Sequence, residues 1–192
     1  MKNILLLIAM LPFVLVAQVK QESTTKKSFI FQTIVQTGLL AGGSAESFTL
    51  QTVNGFRYRK WFAGIGTGLD FYMQRSIPLY ADLRYDFSTK RKTFFLYSDA
   101  GVNFAWTKNK QQQNIVDQSP GLFTDVGVGL KITTKKQDAL VISVGYSHKQ
   151  LSETKRGFGR WSWPIWPVES PETFYRYNYK FNRIAVKFGF VF

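Results

Sequence analysis

His148 is the one imidazole in the chain, and cysteine is absent. The sharpest chemistry this leaves is a serine nucleophile with a histidine base, which requires the two groups within hydrogen-bond reach. On an extended strand, a serine two residues from the histidine would share its face. Position 150 is Gln, however; the nearest serine of matching parity is Ser152, and Ser147 points to the other face. One histidine gives too few ligands for a histidine-built metal site, and the lack of cysteine removes thiolates and disulfides. "GIGTG" (64–68) lacks the lysine and following helix of a phosphate loop. The carboxylates Asp70, Asp82, Asp86, Asp99 and Asp125 could act as acid–base pairs. Arg84, Lys131, Arg183 and Lys187 recur at the same strand parity, so an ion-pair network is the better reading. An unpaired buried charge costs about 3–5 kcal/mol, which makes such a network self-enforcing. No cofactor is expected.

The elements that must position these groups are strands. Period-two alternation fills segments of about ten residues separated by polar turns. The segments are 28–40, 46–57, 60–74, 77–87, 93–106, 119–133, 138–149 and 183–192. In the third, Trp61, Ala63, Ile65, Thr67, Leu69, Phe71 and Met73 oppose Phe62, Gly64, Gly66, Gly68, Asp70 and Tyr72. In the fifth, Leu96, Ala100, Val102, Phe104 and Trp106 oppose Tyr97, Asp99, Gly101 and Asn103. The last carries Ile184, Val186, Phe188, Phe190 and Phe192 on one face to the end of the chain.

Eight such strands fit an antiparallel up-and-down transmembrane β-barrel, all-β in class. The side that is dry decides between lipid and water. The apolar face has no Lys, Arg, Asp or Glu in the middle of the third to eighth segments, whereas the opposite face carries the charges and glycines. A cation on a lipid face at mid-bilayer costs about 2–4 kcal/mol, so the apolar face is expected outside and the polar face inside. With both termini in the periplasm, the connections 57–60, 88–92 and 133–138 are short and basic; 41–45, 74–77, 107–118 and 150–180 lie on the outer side. Trp61, Phe87, Trp106, Tyr146 and Phe192 fall near strand ends, where interfacial girdles sit.

Net charge is +13 over 192 residues. Lys and Arg fall mainly between apolar runs rather than along one face, which points to turns and anionic lipid rather than nucleic acid. Lys2 followed by an apolar run from Ile4 to Val16 reads as a secretory signal peptide over 1–17, ending at the small residue Ala17. Residues 18–27 form a polar lead-in, and the barrel domain is expected over 28–192.

The ending "KFGFVF" is similar to the C-terminal signature of bacterial outer-membrane barrels. "NGFRYRKWFAGIGTGLDFY", "SIPLYADLRYDF" and "FLYSDAGVNFAW" resemble small outer-membrane β-barrels of Bacteroidota-type bacteria, with the OmpA/OmpX-like eight-stranded architecture. The resemblance implies that Phe188, Phe190 and Phe192 belong to a strand recognised by the barrel-assembly machinery. It carries over no catalytic or binding residue.

The connection 150–180 is the longest and most unusual stretch. Arg160, Trp161, Trp163, Trp166, Tyr175, Arg176 and Tyr177 have the residue types that dominate binding hot spots. Outer-membrane lipid, lipopolysaccharide or a protein partner are the expected ligands. The alternative is that the two ends of this stretch continue the flanking strands. The expected function is a non-enzymatic outer-membrane barrel, structural or surface-interacting. The other readings are a deacylase-like, lipid A-modifying enzyme using His148, or a small channel.

Overall fold

A computed structural model of the chain describes residues 29–43, 45–88, 91–107, 114–134, 138–157 and 173–192. The described residues form nine strands: β1 (Ile30–Gly42), β2 (Glu46–Tyr58), β3 (Trp61–Asp70), β4 (Ser76–Asp86), β5 (Lys92–Ala105), β6 (Ile115–Ser119), β7 (Gly121–Thr133), β8 (Ala139–Gly157) and β9 (Thr173–Val191). All pairings are antiparallel, in the order β1-β2-β3-β4-β5-β7-β8-β9. β9 returns to β1 in a register running from Ile34↔Val191 to Gly42↔Arg183, which closes an eight-stranded barrel.

Alternation dictates the two faces. The outward stripe of β9, Ile184, Val186, Phe188 and Phe190, is exposed, and Leu50, Ile65, Leu79, Leu83, Val102, Val126 and Val144 continue it around the wall. So continuous a band of large apolar side chains calls for lipid rather than water. Inward residues are buried, and they are more mixed than a polar lumen. Ile34, Val53, Phe62, Phe95, Val141 and Val191 form an apolar plug with Tyr80, Tyr97 and Phe123. Glycines on the same inner surface make room for the rings. A Cβ on Gly129 would overlap the Phe95 ring, and one on Gly145 would strike the Tyr97 hydroxyl. An eight-stranded barrel is narrow enough for side chains to fill it, so ring and glycine must alternate.

The far end of the barrel departs from the expected boundaries. The third segment does not run to 74, because β3 stops at Asp70. The Asp70 carboxylate accepts the Tyr72 N–H at 2.9 Å and Met73 adopts φ 51°, which together turn the chain. The sixth segment is broken at Pro120, which has no N–H to give a ladder. Its outer piece, β6, pairs with β8 on the edge that β7 occupies lower down, so part of the expected connection 107–118 is strand. The expected connection 150–180 is likewise shortened from both ends. β8 runs on to Gly157 and β9 begins at Thr173, paired from Gly157↔Thr173 downward. The eighth segment therefore starts well before 183.

Candidate functional site

The lumen charges form three tiers. At the end where β1 begins and β9 finishes, Asp86 pairs with both Arg57 and Lys131. In the middle, Arg84 donates to both oxygens of Asp82 at 2.8–3.0 Å and reaches Gln36, which in turn donates to Gln51 at 2.7 Å. Asp82, Asp99 and Asp125 stand directly opposite one another across β4, β5 and β7. Such a like-charged row is unfavourable unless cations intervene. Lys187 reaches in from β9, 2.8 Å from Asp125 and 3.6 Å from Asp99, while the Tyr97 hydroxyl donates to Asp125 at 2.9 Å.

At the far end, Asp70 is shared by Lys149 and Arg183. Lys149 Nζ also donates to the carbonyls of Tyr72 and Gln74 and contacts Ser76 Oγ, at 2.8–3.1 Å. It thereby clamps the β3–β4 turn over the lumen. The nine interior residues read from sequence, Asp70, Asp82, Arg84, Asp86, Asp99, Asp125, Lys131, Arg183 and Lys187, are all buried here. Sequence reading missed Lys149, Glu153 and Arg57. The first two share the parity of Ser147: Lys149 is the last residue of the expected segment 138–149, and extending the strand past it would have found Glu153. With them, among the described residues Asp70, Asp82, Asp86, Asp99, Asp125 and Glu153 face Arg57, Arg84, Lys131, Lys149, Lys155, Arg183 and Lys187, so both signs of charge run through the filling. A gap beside Gln32, Arg57 and Lys131 offers only about 20 Å³ to water, room for one or two molecules.

His148 points outward. Its Nδ1 lies 2.6 Å from Asn182 Oδ1 and its Nε2 2.9 Å from Gln150 Nε2. Donation from Nδ1 and acceptance at Nε2 satisfies both contacts. Ser152 donates to Asn178 at 2.7 Å, and Ser147, inside the barrel, accepts from Arg183. Both serines are thus engaged away from the imidazole. Among the described residues no group of three or more potential ligands could hold a metal ion.

Beyond the closing seam, β6, β8 and β9 rise as a three-stranded wall. β1 ends opposite Arg183, so Thr173–Asn182 of β9 stands above it. Ten residues at about 3.3 Å each make this extension roughly 33 Å of strand. Tyr175 and Tyr177 are exposed on it. Tyr177, Tyr179 and Phe181 stack at 6.4 and 5.9 Å on its inner face, with Lys155 Nζ 5.5 Å over Tyr177. The outer face carries Arg156, Arg176 and Lys180, all exposed. Arg160, Trp161, Trp163 and Trp166 lie outside the described residues.

No family model matches the chain. No curated protein sequence matches it. Among solved structures, it is similar to the crystal structure of Neisserial surface protein A, NspA, with TM-score 0.53 and 14% identity over 85% of this chain and 94% of that one. It is also similar to the solid-state NMR structure of the outer membrane protein AlkL in DMPC lipid bilayers, with TM-score 0.54 and 11% identity over 91% and 94%. The outer membrane protein OprG from Pseudomonas aeruginosa aligns at TM-score 0.48 and 10% identity over 84% and 94%. The chain has the fold of the small eight-stranded outer-membrane β-barrels.

Proposed function

We propose that this chain is a non-enzymatic outer-membrane barrel of a Gram-negative, Bacteroidota-type bacterium, exported by residues 1–17, whose role is to hold an interaction surface above the membrane. The observation that carries the reading is the wall: paired strands with aromatic and basic faces, continuing from a barrel whose lumen is packed with side chains. In this reading the barrel-assembly machinery engages the strand ending in Phe188, Phe190 and Phe192. Lipopolysaccharide or a protein partner meets the wall.

The chemistry of the interior supports a filled post rather than a conduit. Carboxylates and cations are interleaved among the described interior residues, leaving no single-sign field to select ions, and the apolar plug crosses the lumen. The deacylase-like reading would need His148 to activate a serine, and its ring nitrogens are instead held by Asn182 and Gln150.

The test is complementation of a deletion strain with the full chain and with a variant in which 153–177 is replaced by a four-residue turn. The short barrel is expected to assemble yet fail to restore the envelope phenotype. Full rescue by the short barrel would remove the wall from the function. Ion conductance in planar bilayers, or shortened lipid A in the complemented strain, would overturn the non-enzymatic, closed-barrel reading.

A further inference from the structure

The outward surface of the barrel carries a cluster of polar groups where apolar ones are the rule. On β1, β2 and β3 the outward positions between the end rings include Thr33, Thr37, Thr52, Asn54 and Thr67. Register brings them together: Thr33 stands opposite Asn54, and Thr52 opposite Thr67. On β8 and β9 the outward pairs are instead Ile142↔Phe188 and Val144↔Val186.

The cluster lies deep. Thr52 is four residues from Phe48 and four from Phe56, both exposed rings of β2. With about 3.3 Å per residue and a tilt near 40°, that is roughly 10 Å of height on either side. Thr52 therefore sits at mid-bilayer, where hydrocarbon offers a hydrogen-bonding group nothing to bond. Asn54 is the sharpest case. Its side chain is partly exposed, and its Oδ1 accepts from the Thr33 hydroxyl at 2.8 Å. Among the described residues its two N–H groups donate to nothing. Polar side chains at this depth are costly against lipid and serve as glue between proteins.

A second copy is the occupant these groups select. Copies in one membrane share an orientation, so a two-fold axis relating a pair runs along the membrane normal. Such an axis keeps every residue at its own depth, and the cluster meets itself. Asparagine and threonine suit that arrangement, because each is donor and acceptor at once and can bond its own duplicate. A stripe of lysines or carboxylates would repel its copy. The short side chains also let two walls approach closely.

We infer that the β1–β3 face is a self-complementary interface within the membrane, at which two copies of this barrel pair through Thr52, Asn54 and Thr67. The inference rests on the membrane-spanning reading of the barrel. Pairing brings two of the upper walls into one assembly, so a partner that repeats its epitope would be held by both.

The experiment uses the full mature chain refolded into lipid vesicles, with single cysteines placed in this cysteine-free sequence. Thr37→Cys, Thr52→Cys and Thr67→Cys are oxidised in turn, and a disulfide-linked dimer is expected at one or more of them. Val126→Cys, exposed on β7 across the barrel, is expected to stay monomeric. In a second arm Gly43→Cys carries a donor or an acceptor dye, and energy transfer is followed as lipid dilutes the protein. There the variant Thr33→Val, Thr52→Val, Asn54→Leu, Thr67→Val is expected to raise the dissociation constant about tenfold, from two symmetry-related hydrogen bonds worth roughly threefold each. Its urea midpoint should not fall, since both members of the Thr33–Asn54 bond are replaced together; a lowered midpoint with undiminished energy transfer would make the cluster an internal brace and overturn the interface. So would the absence of a dimer at all three positions, an equal yield at Val126→Cys, or cross-linking in cells to a different protein in place of a second copy. Heat-modifiable gel mobility reports insertion separately: an inserted monomer removes this interface alone, whereas a chain that never inserts removes the reading it rests on.

Discussion

Asp70→Asn is the most informative single change. The amide keeps the shape of the carboxylate but deletes the one negative charge shared by Lys149 and Arg183, whose side chains are both 0% exposed. Lys149 can release its proton, which limits its share of the cost. Arg183 cannot, so at least one uncompensated buried charge remains, worth about 3–5 kcal/mol. Asp86→Asn makes the matching change at the other end, where Arg57 and Lys131 side chains are 19% and 10% exposed. Water reaches those groups, and the expected cost there drops to about 1–2 kcal/mol. The assay is urea unfolding of each barrel refolded into lipid vesicles, followed by tryptophan emission and by heat-modifiable gel mobility. Adding Arg183→Met to Asp70→Asn removes the stranded cation and should recover about half the loss or more. Equal losses for Asp70→Asn and Asp86→Asn, or a double variant less stable than the single, would refute the shared-carboxylate account.

The remaining expectations concern assembly and packing. Phe192→Asp should block insertion in cells, because Phe192 is 54% exposed at the end of the apolar stripe. Val191→Thr should insert normally and lose only about 1–3 kcal/mol for a hydroxyl in the apolar plug; comparing surface-exposed barrel in the two strains decides it. Gly129→Ala should lower the urea midpoint clearly, since its Cβ would overlap Phe95, whereas Gly43→Ala, with nothing within 4 Å, should not. Lys149→Met should free the β3–β4 turn, read as faster amide exchange at Tyr72 and Gln74 than at Tyr80. Uniform exchange across these residues would show that Lys149 is no clamp.

The strands and their facing were legible because lipid imposes one rule on every outward position. Where that rule ends, legibility ends too. Above Asn182 the outward residues Lys180, Asn178 and Arg176 need not be apolar, so alternation disappears and a paired strand reads as a loop. Glu153 was hidden by that same false ending, and Lys149 stood at its very edge. The apolar part of the lumen was obscured differently. In "TFFLY" (93–97) both faces of the strand are apolar or aromatic, and period two then says where the strand is without saying that Phe95 fills the interior. Pairwise facts such as the sharing of Asp70 by β8 and β9 depend on register and curvature, which no single segment encodes.

The seam between β1 and β9 also sets the order of events in folding. Every other seam of the barrel joins neighbouring strands of the chain, or β5 and β7 with only the short β6 between them, so each forms by closing a far shorter loop. Val191 meets Ile34 only when nearly the whole chain has been gathered, and loop entropy rising as the logarithm of length adds about 3 kcal/mol to that step relative to a five-residue turn. The β8–β9 hairpin, with nineteen residues in each strand, can zip without waiting for it. Closure is therefore the late, slow event, and the unclosed intermediate exposes two open sheet edges, at β1 and at β9. A covalent link between Thr37 and its register partner Phe188, each replaced by cysteine, would convert that non-local step into a local one and should speed folding more than it raises stability.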